Sequence, residues 1–265
     1  MEIVLAVFAG LLIGSFLNVC IFRLPRDLSV VSPARSFCPG CETMIAWYDN
    51  IPLLSFALLG GRARCCKESI PIRYPIVELV TAVAFGVAVW MFGATLHGVK
   101  MCLFAAIMID LIATDFEERI LPDEFTLGGT ALGLLLSWFV LLEVDVASLV
   151  FFLVGLDQPS AQVFSLLESA LGAVVGSGML WFVAWSYEKI RKREGMGMGD
   201  VKMMALIGAF LGLRPALFTF FLASVVGSVL GMLFIWLARK EAQSYELPFG
   251  SFLGATALVV AFWLG

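Results

Sequence analysis

Charge is what this 265-residue chain has least of: 14% of its residues are Asp, Glu, Lys or Arg, against 61% hydrophobic. Soluble globular domains carry about 25% charged residues, so this balance excludes one and points to a polytopic membrane protein. Histidine is rarer still. The single one, His97, lies between the second and third apolar segments, away from most of the basic residues. That excludes Ser/His/Asp catalysis and histidine metal sites on the basic face. No basic stripe with interleaved aromatics is present, so nucleic acid is not expected as a partner. The first apolar run lacks a basic start, its only early charge being Glu2. It is expected to stay as a helix rather than be removed as a signal peptide. Internal repeats and low-complexity segments are absent as well.

What is present is a series of apolar segments, at roughly 1–22, 74–93, 99–114, 125–142, 164–187, 201–213, 215–238 and 248–264. They predict an all-α, polytopic transmembrane bundle of about eight spans, or seven if 201–213 is a half-helix. Several fall short of the ~20 residues that cross a hydrocarbon core of ~30 Å. Lysine and arginine orient the chain. With eight spans, the segments 23–73 and 188–199, Arg119, and Arg239 with Lys240 all fall on one side and hold 14 of the 17 basic residues. The opposite loop 143–163 has Glu143, Asp145 and Asp157 and no base. The basic side is then cytoplasmic and both termini lie outside.

Two parts are expected. Residues 1–98 hold the first span, a polar loop over 23–73 and the second span; residues 99–265 are nearly continuous membrane. The loop carries four of the six cysteines and the turn signals Pro33, Pro39-Gly40, Asn50-Ile51-Pro52, Gly60-Gly61 and Pro71. It is a small domain too poor in core to fold unaided, where a metal staple helps. Cys38-Pro39-Gly40-Cys41 has knuckle spacing for zinc, and Cys65-Cys66 offers further thiolates. In a reducing cytoplasm such thiols bind metal rather than pair as disulfides; the alternative is reduced surface cysteines around an ordinary turn. Cys20 and Cys102 lie in apolar spans and read as small core residues.

Two aspartates stand where apolar segments meet polar ones on the basic side. Asp115 opens Asp115-Phe116-Glu117-Glu118-Arg119-Ile120-Leu121-Pro122-Asp123, and Asp200 ends Gly195-Met196-Gly197-Met198-Gly199-Asp200. A carboxylate at membrane depth is costly and is read as functional. Two that share one proton let one activate water while the other polarises the scissile carbonyl, as in an aspartyl protease. Gly197 and Gly199 remove side chains beside Asp200, opening it to an extended substrate backbone. The bland alternative is that Asp200 only caps a helix beginning at Val201 and Asp115 only begins a solvated loop. Helix ends would place the shared proton on Asp115, at a C-terminal end, and leave Asp200 as the anion. Asp110 lies ~140° around the helix from Asp115 and is expected to pair with another intramembrane polar group. Asp123 suits a helix cap. Glu78, one turn inside the second span, is read as meeting a basic or amine group or as reaching back toward the loop.

At this point the sequence resembles the type IV prepilin peptidases, the bifunctional leader peptidase/N-methyltransferases of bacterial type IV pili and type II secretion. Four stretches carry the resemblance: Gly14-Ser15-Phe16-Leu17-Asn18-Val19 with Arg23-Leu24-Pro25; Cys38 to Cys66 around Asn50-Ile51-Pro52-Leu53-Leu54-Ser55; Arg73-Tyr74-Pro75-Ile76-Val77-Glu78; and Gly195 to Lys202. The spacing from Asp115 to Pro122-Asp123 agrees too. The resemblance implies a multi-pass enzyme of the bacterial inner membrane, with Asp115 and Asp200 catalytic and Gly197 and Gly199 at the substrate. It implies cleavage of the basic leader of prepilin or pseudopilin precursors after a glycine, at the cytoplasmic face. It also implies methylation of the new N-terminal amine by S-adenosylmethionine, associated with residues 1–98; Glu78 is the one residue suggested for the donor. Zinc would be held by Cys38, Cys41 and Cys66. The family's second CxxC falls at 63 and 66, and here Ala63 replaces a cysteine; Cys65 substitutes if the backbone shifts slightly. The alternatives are a peptidase without methyl transfer, resembling preflagellin and presenilin-type enzymes, and a proton-coupled transporter.

Overall fold

The computed structural model describes residues 1–33, 35–143, 146–148, 159–192, 196–238 and 248–264, with 234–238 as backbone only. Arg193, Gly195, Asp145, Asp157, Arg239 and Lys240, on which parts of the charge and motif reading rest, lie outside the described residues. Among these residues the structure is helical, and the only β pairing is two isolated antiparallel bridges. The helices are α1 (Glu2–Arg23), α2 (Leu54–Leu58), α3 (Arg73–Phe92), α4 (Leu96–Glu118), α5 (Asp123–Phe139), α6 (Ala161–Arg191), α7 (Met198–Leu211), α8 (Leu213–Ala238) and α9 (Phe249–Leu264).

Each of the eight expected segments contains a helix. Among the described residues five stretches are long and apolar enough to cross a membrane: Glu2–Arg26, Arg73–Phe92, Leu96–Glu118, Ala161–Arg191 and Leu213–Leu233. The other three, α5, α7 and α9, have 17, 14 and 16 residues. The chain forms two compact units, Met1–Thr114 and Asp115–Gly265, so the division falls within α4.

In the first unit α1 packs against α3 through glycines. A Cβ on Gly10 would lie 2.7 Å from the Ala82 Cα, and one on Gly14 would lie 2.7 Å from the Glu78 Cα. Small residues four apart let helix backbones approach this closely where lipid gives no hydrophobic drive. Asn18 sits at the same contact, its amide donating to the Tyr74 carbonyl at 3.0 Å. Two of the motifs are thereby joined. Beyond α1 the buried Arg23 guanidinium donates to the carbonyls of Ser29, Val30 and Pro33, each at 3.0 Å, and folds the start of the loop over the helix end.

In the second unit α7 is the core. Ten of its 14 residues are buried, including Met203, Met204, Leu206, Ile207 and Phe210 at 0% exposure. Gly208 meets Gly172 of α6 backbone to backbone. Beside that contact the Ser169 hydroxyl donates to the Ala209 carbonyl at 2.6 Å. The polar side chains of α6 also tie in their surroundings: Ser165 donates to the Ser137 carbonyl, and Glu168 accepts from the Ala147 N–H.

Candidate active site

The second unit brings Asp115 and Asp200 to one place. α4 continues to Glu118, so Asp115 lies inside the last turn of a helix, 6% exposed, rather than opening a solvated loop. α7 begins at Met198, with Gly197 as its N-cap and no side-chain cap bond. Asp200 is therefore the third helical residue and 8% exposed; it does not cap a helix starting at Val201. Both carboxylates meet at Gly250 in the first turn of α9. A Cβ built on Gly250 would lie 3.0 Å from Asp200 Oδ1 and 3.1 Å from Asp115 Oδ2. These distances laid end to end put the two oxygens at most ~6 Å apart, within the range where charges share a site. Ser251 completes the group, with its backbone N–H 2.6 Å and its hydroxyl 2.8 Å from Asp115 Oδ2.

The sequence reading missed Gly250 and Ser251. The only signal was Pro248-Phe249-Gly250-Ser251, a turn-forming stretch at the start of the last apolar segment, where many helices begin in the same way. The two motif glycines differ in surroundings. The Cβ position of Gly197 is nearly open, its nearest neighbour being the Gly199 amide nitrogen at 3.9 Å. A Cβ on Gly199 would meet the Leu121 side chain at 3.0 Å, so this glycine admits the α4–α5 turn. Asp123 is the first residue of α5 and does not cap it. Its carboxylate pairs instead with the Lys202 ammonium at 2.6 Å, tying that turn to α7.

The remaining candidates lie in the first unit. Asp110 is wholly buried and neither oxygen has a hydrogen-bond partner among the described residues; Arg73 is the nearby charge acting on it. Glu78 reaches the loop, accepting the Leu53 N–H at 2.8 Å and so holding a residue whose φ is +59°. His97 stacks on Phe92 with ring centroids 4.6 Å apart.

The four loop cysteines converge. Their sulfurs lie within 4.8 Å of one another, with Cys38–Cys66 at 3.6 Å, Cys41–Cys65 at 3.3 Å and Cys65–Cys66 at 3.9 Å. A tetrahedral zinc at about 2.3 Å from each sulfur sets them ~3.8 Å apart, so the set fits the ion. The two turns share one hydrogen-bond pattern. The Cys38 N–H donates to the Thr43 carbonyl and the Glu42 N–H to the Cys38 carbonyl; likewise Ala63 donates to Glu68 and Lys67 to Ala63. Glu42 and Lys67 both have positive φ, 57° and 63°. Ala63 thus corresponds to Cys38 and Cys66 to Cys41. Cys65 supplies the fourth sulfur from the position of Gly40, and the hydrogen-bond pattern is retained. At Gly40 the Glu68 carboxylate lies where a Cβ would be, so a side chain there would have to turn that flexible glutamate aside. The Cys41 thiol is drawn down to about 6, first by its hydrogen bonds with Thr43 and then by Cys65. Cys65 is pushed up to about 12, chiefly by its hydrogen bond with Cys41. Nearby, the Arg64 guanidinium 2.9 Å away holds Asp49 below the usual carboxylate range.

The bacterial peptidase A24 N-terminal domain model matches residues 8–92, and the type IV leader peptidase family model matches residues 102–232. The chain belongs to the type IV leader peptidase family. Three similar proteins bear the name prepilin leader peptidase/N-methyltransferase. The one from Stutzerimonas stutzeri is 35% identical over 97% of this chain and 89% of its own length. That from Pseudomonas putida is 32% identical over 98% and 90%. That from Aeromonas hydrophila is 34% identical over 96% and 88%. No solved structure matches the chain. The resemblance read from the motifs is borne out, and this family member is a multi-pass membrane protein.

Proposed function

We propose that the chain is a membrane aspartyl endopeptidase that removes the leader of type IV prepilin or pseudopilin precursors and methylates the new N-terminal amine. The observation that carries the peptidase half is the meeting of Asp115 and Asp200 beside Gly250. Two carboxylates with one proton between them attack an amide without a metal. One takes a proton from water as the water oxygen bonds to the carbonyl carbon; the other gives its proton to the carbonyl oxygen. Collapse breaks the C–N bond, the first carboxyl returns its proton to the leaving amine, and the second recovers its own. Gly197, with open space in place of a side chain, supports approach of the substrate backbone. The basic face is the cytoplasmic one in this reading, in the bacterial inner membrane with both termini outside. A positively charged leader stays on that face while the precursor's apolar helix lies in the bilayer.

The methyl-transfer half belongs to residues 1–98 in this reading. S-adenosylmethionine supplies an electrophilic methyl group. A cavity of about 270 Å³ beside α1 is lined by Ser15, Phe16, Arg23, Arg35, Ser36 and Asn50. This is slightly below the ~300 Å³ at which small-molecule sites begin. Its hydroxyls, the Asn50 amide and the Phe16 ring suit a nucleoside, and Arg35 suits the donor's carboxylate. Glu78 adjoins this wall through its hydrogen bond with Ser15. Zinc on Cys38, Cys41, Cys65 and Cys66 would hold the loop that forms one side.

The test is incubation of the purified protein with a prepilin precursor and label-carrying methyl donor, comparing wild type with Asp115→Ala and Asp200→Ala. Both variants are expected to leave the precursor intact. Cleavage by either one sinks the dyad, and an unlabelled mature product from wild type removes the methyl-transfer half.

A further inference from the structure

Two donors from one residue meet a single oxygen of the proposed dyad. Ser251 directs both its backbone N–H, at 2.6 Å, and its hydroxyl, at 2.8 Å, to Asp115 Oδ2. The N–H is the third of α9, one of the first four of a helix that find no partner inside it. Its distance is as short as charge-assisted hydrogen bonds, in which the acceptor is ionised. Two such donors on one oxygen favour the ionised carboxylate, because the carbonyl oxygen of a neutral acid is the weaker acceptor. Among the described residues Asp200 accepts no comparable pair of hydrogen bonds, and it feels the Asp115 charge.

We infer that Ser251 is a positioning residue for the peptidase reaction: it pins Asp115 Oδ2 and so leaves the shared proton with Asp200. Asp115 is then the base, receiving the water proton on Oδ1, the oxygen that Ser251 does not hold, and Asp200 is the acid that protonates the carbonyl oxygen. This inverts the assignment drawn from helix ends. Asp115 does lie at the C-terminal end of α4, but it also accepts a hydrogen bond from the first turn of α9, and that direct bond outweighs the more distant field of its own helix. Gly250 belongs to the same device. Its missing side chain leaves the gap into which both carboxylates project, and a Cβ there would sit 3.0–3.1 Å from both.

The inference rests on Asp115 and Asp200 being the peptidase dyad. The experiment measures kcat and KM for leader cleavage, and separately methylation of a pre-cleaved pilin, in Ser251→Ala and Ser251→Thr. Ser251→Ala keeps the N–H and loses the hydroxyl. Its cleavage kcat is expected to fall about 10-fold, with KM within about 2-fold, the size of effect of one hydrogen bond to a charged group. Ser251→Thr restores the hydroxyl and most of kcat, and methylation stays at the wild-type rate in both. Wild-type kcat in Ser251→Ala overturns the inference, as does equal loss in Ala and Thr or a parallel fall in methylation. If these failures occur while Asp115→Ala and Asp200→Ala remain inactive, the dyad stands and only the role of Ser251 is lost. Cleavage by an aspartate variant removes both.

Discussion

Gly208→Ala tests whether the core of the peptidase unit is built on a backbone-to-backbone crossing. A Cβ at 208 would overlap the Gly172 carbonyl and lie 2.6 Å from the Ala173 amide nitrogen. Ordinary contact begins near 3.4 Å, so α6 and α7 must part by about 1 Å. The three nearest atoms are all backbone, so turning a side chain aside does not relieve the clash, and overpacking of this kind costs about 1–3 kcal/mol. The same displacement stretches the 2.6 Å bond from Ser169 to the Ala209 carbonyl, adding about 1 kcal/mol. A loss of about 2–4 kcal/mol corresponds to a Tm lower by roughly 5–10 °C. α7 also carries Asp200, and misplacement of a reacting group by ~1 Å can cost 100-fold in rate; leader cleavage should fall at least ~10-fold. The assay is thermal unfolding in detergent beside precursor cleavage, with Gly178→Ala as control. Gly178 is on α6 too, exposed, with nothing within 4 Å of its Cβ position. Equal Tm for the two variants would refute the crossing.

Glu78→Ala frees the Leu53 N–H and should release the 51–55 segment at a local cost of about 1–3 kcal/mol. Limited proteolysis there should quicken, and an unchanged cutting rate would mean the bond holds nothing. Lys202→Ala removes an ion pair whose side chains are 32% and 57% exposed, so stability should change by less than about 1 kcal/mol. Cleavage should stay within about 3-fold of wild type; a much larger loss would mean that the pair contacts substrate. Cys65→Ser and Cys66→Ser should each reduce bound zinc measured by atomic emission, while Cys20→Ser, buried in α1, should keep it. Full zinc in Cys65→Ser would exclude that sulfur as a ligand.

The apolar segments, the cysteine pair at 38 and 41, and the two aspartates were legible because each is a local signal. Hydropathy is averaged over one helix, and knuckle spacing spans four residues. The lengths of the helices were less legible. Asp200 begins neither a helix nor a loop, because glycines at 197 and 199 let α7 start earlier than its apolar residues do. Asp123 looked like a cap because the residue after a proline so often stands at a helix start. The side chain that claims it, Lys202, is 79 residues away.

Sequence alone places the chain in a membrane and singles out the acids and thiols that stand where burial is costly. Composition and short-range spacing carry all of that. The meeting of Asp115 and Asp200 at Gly250, and the reach of Ser251 to Asp115 across 136 residues, come from tertiary packing. The same packing brings the Cys65 sulfur to those of Cys38, Cys41 and Cys66 although position 63 is alanine. These are contacts between separate segments, set by how helices and turns pack, and no local pattern records them.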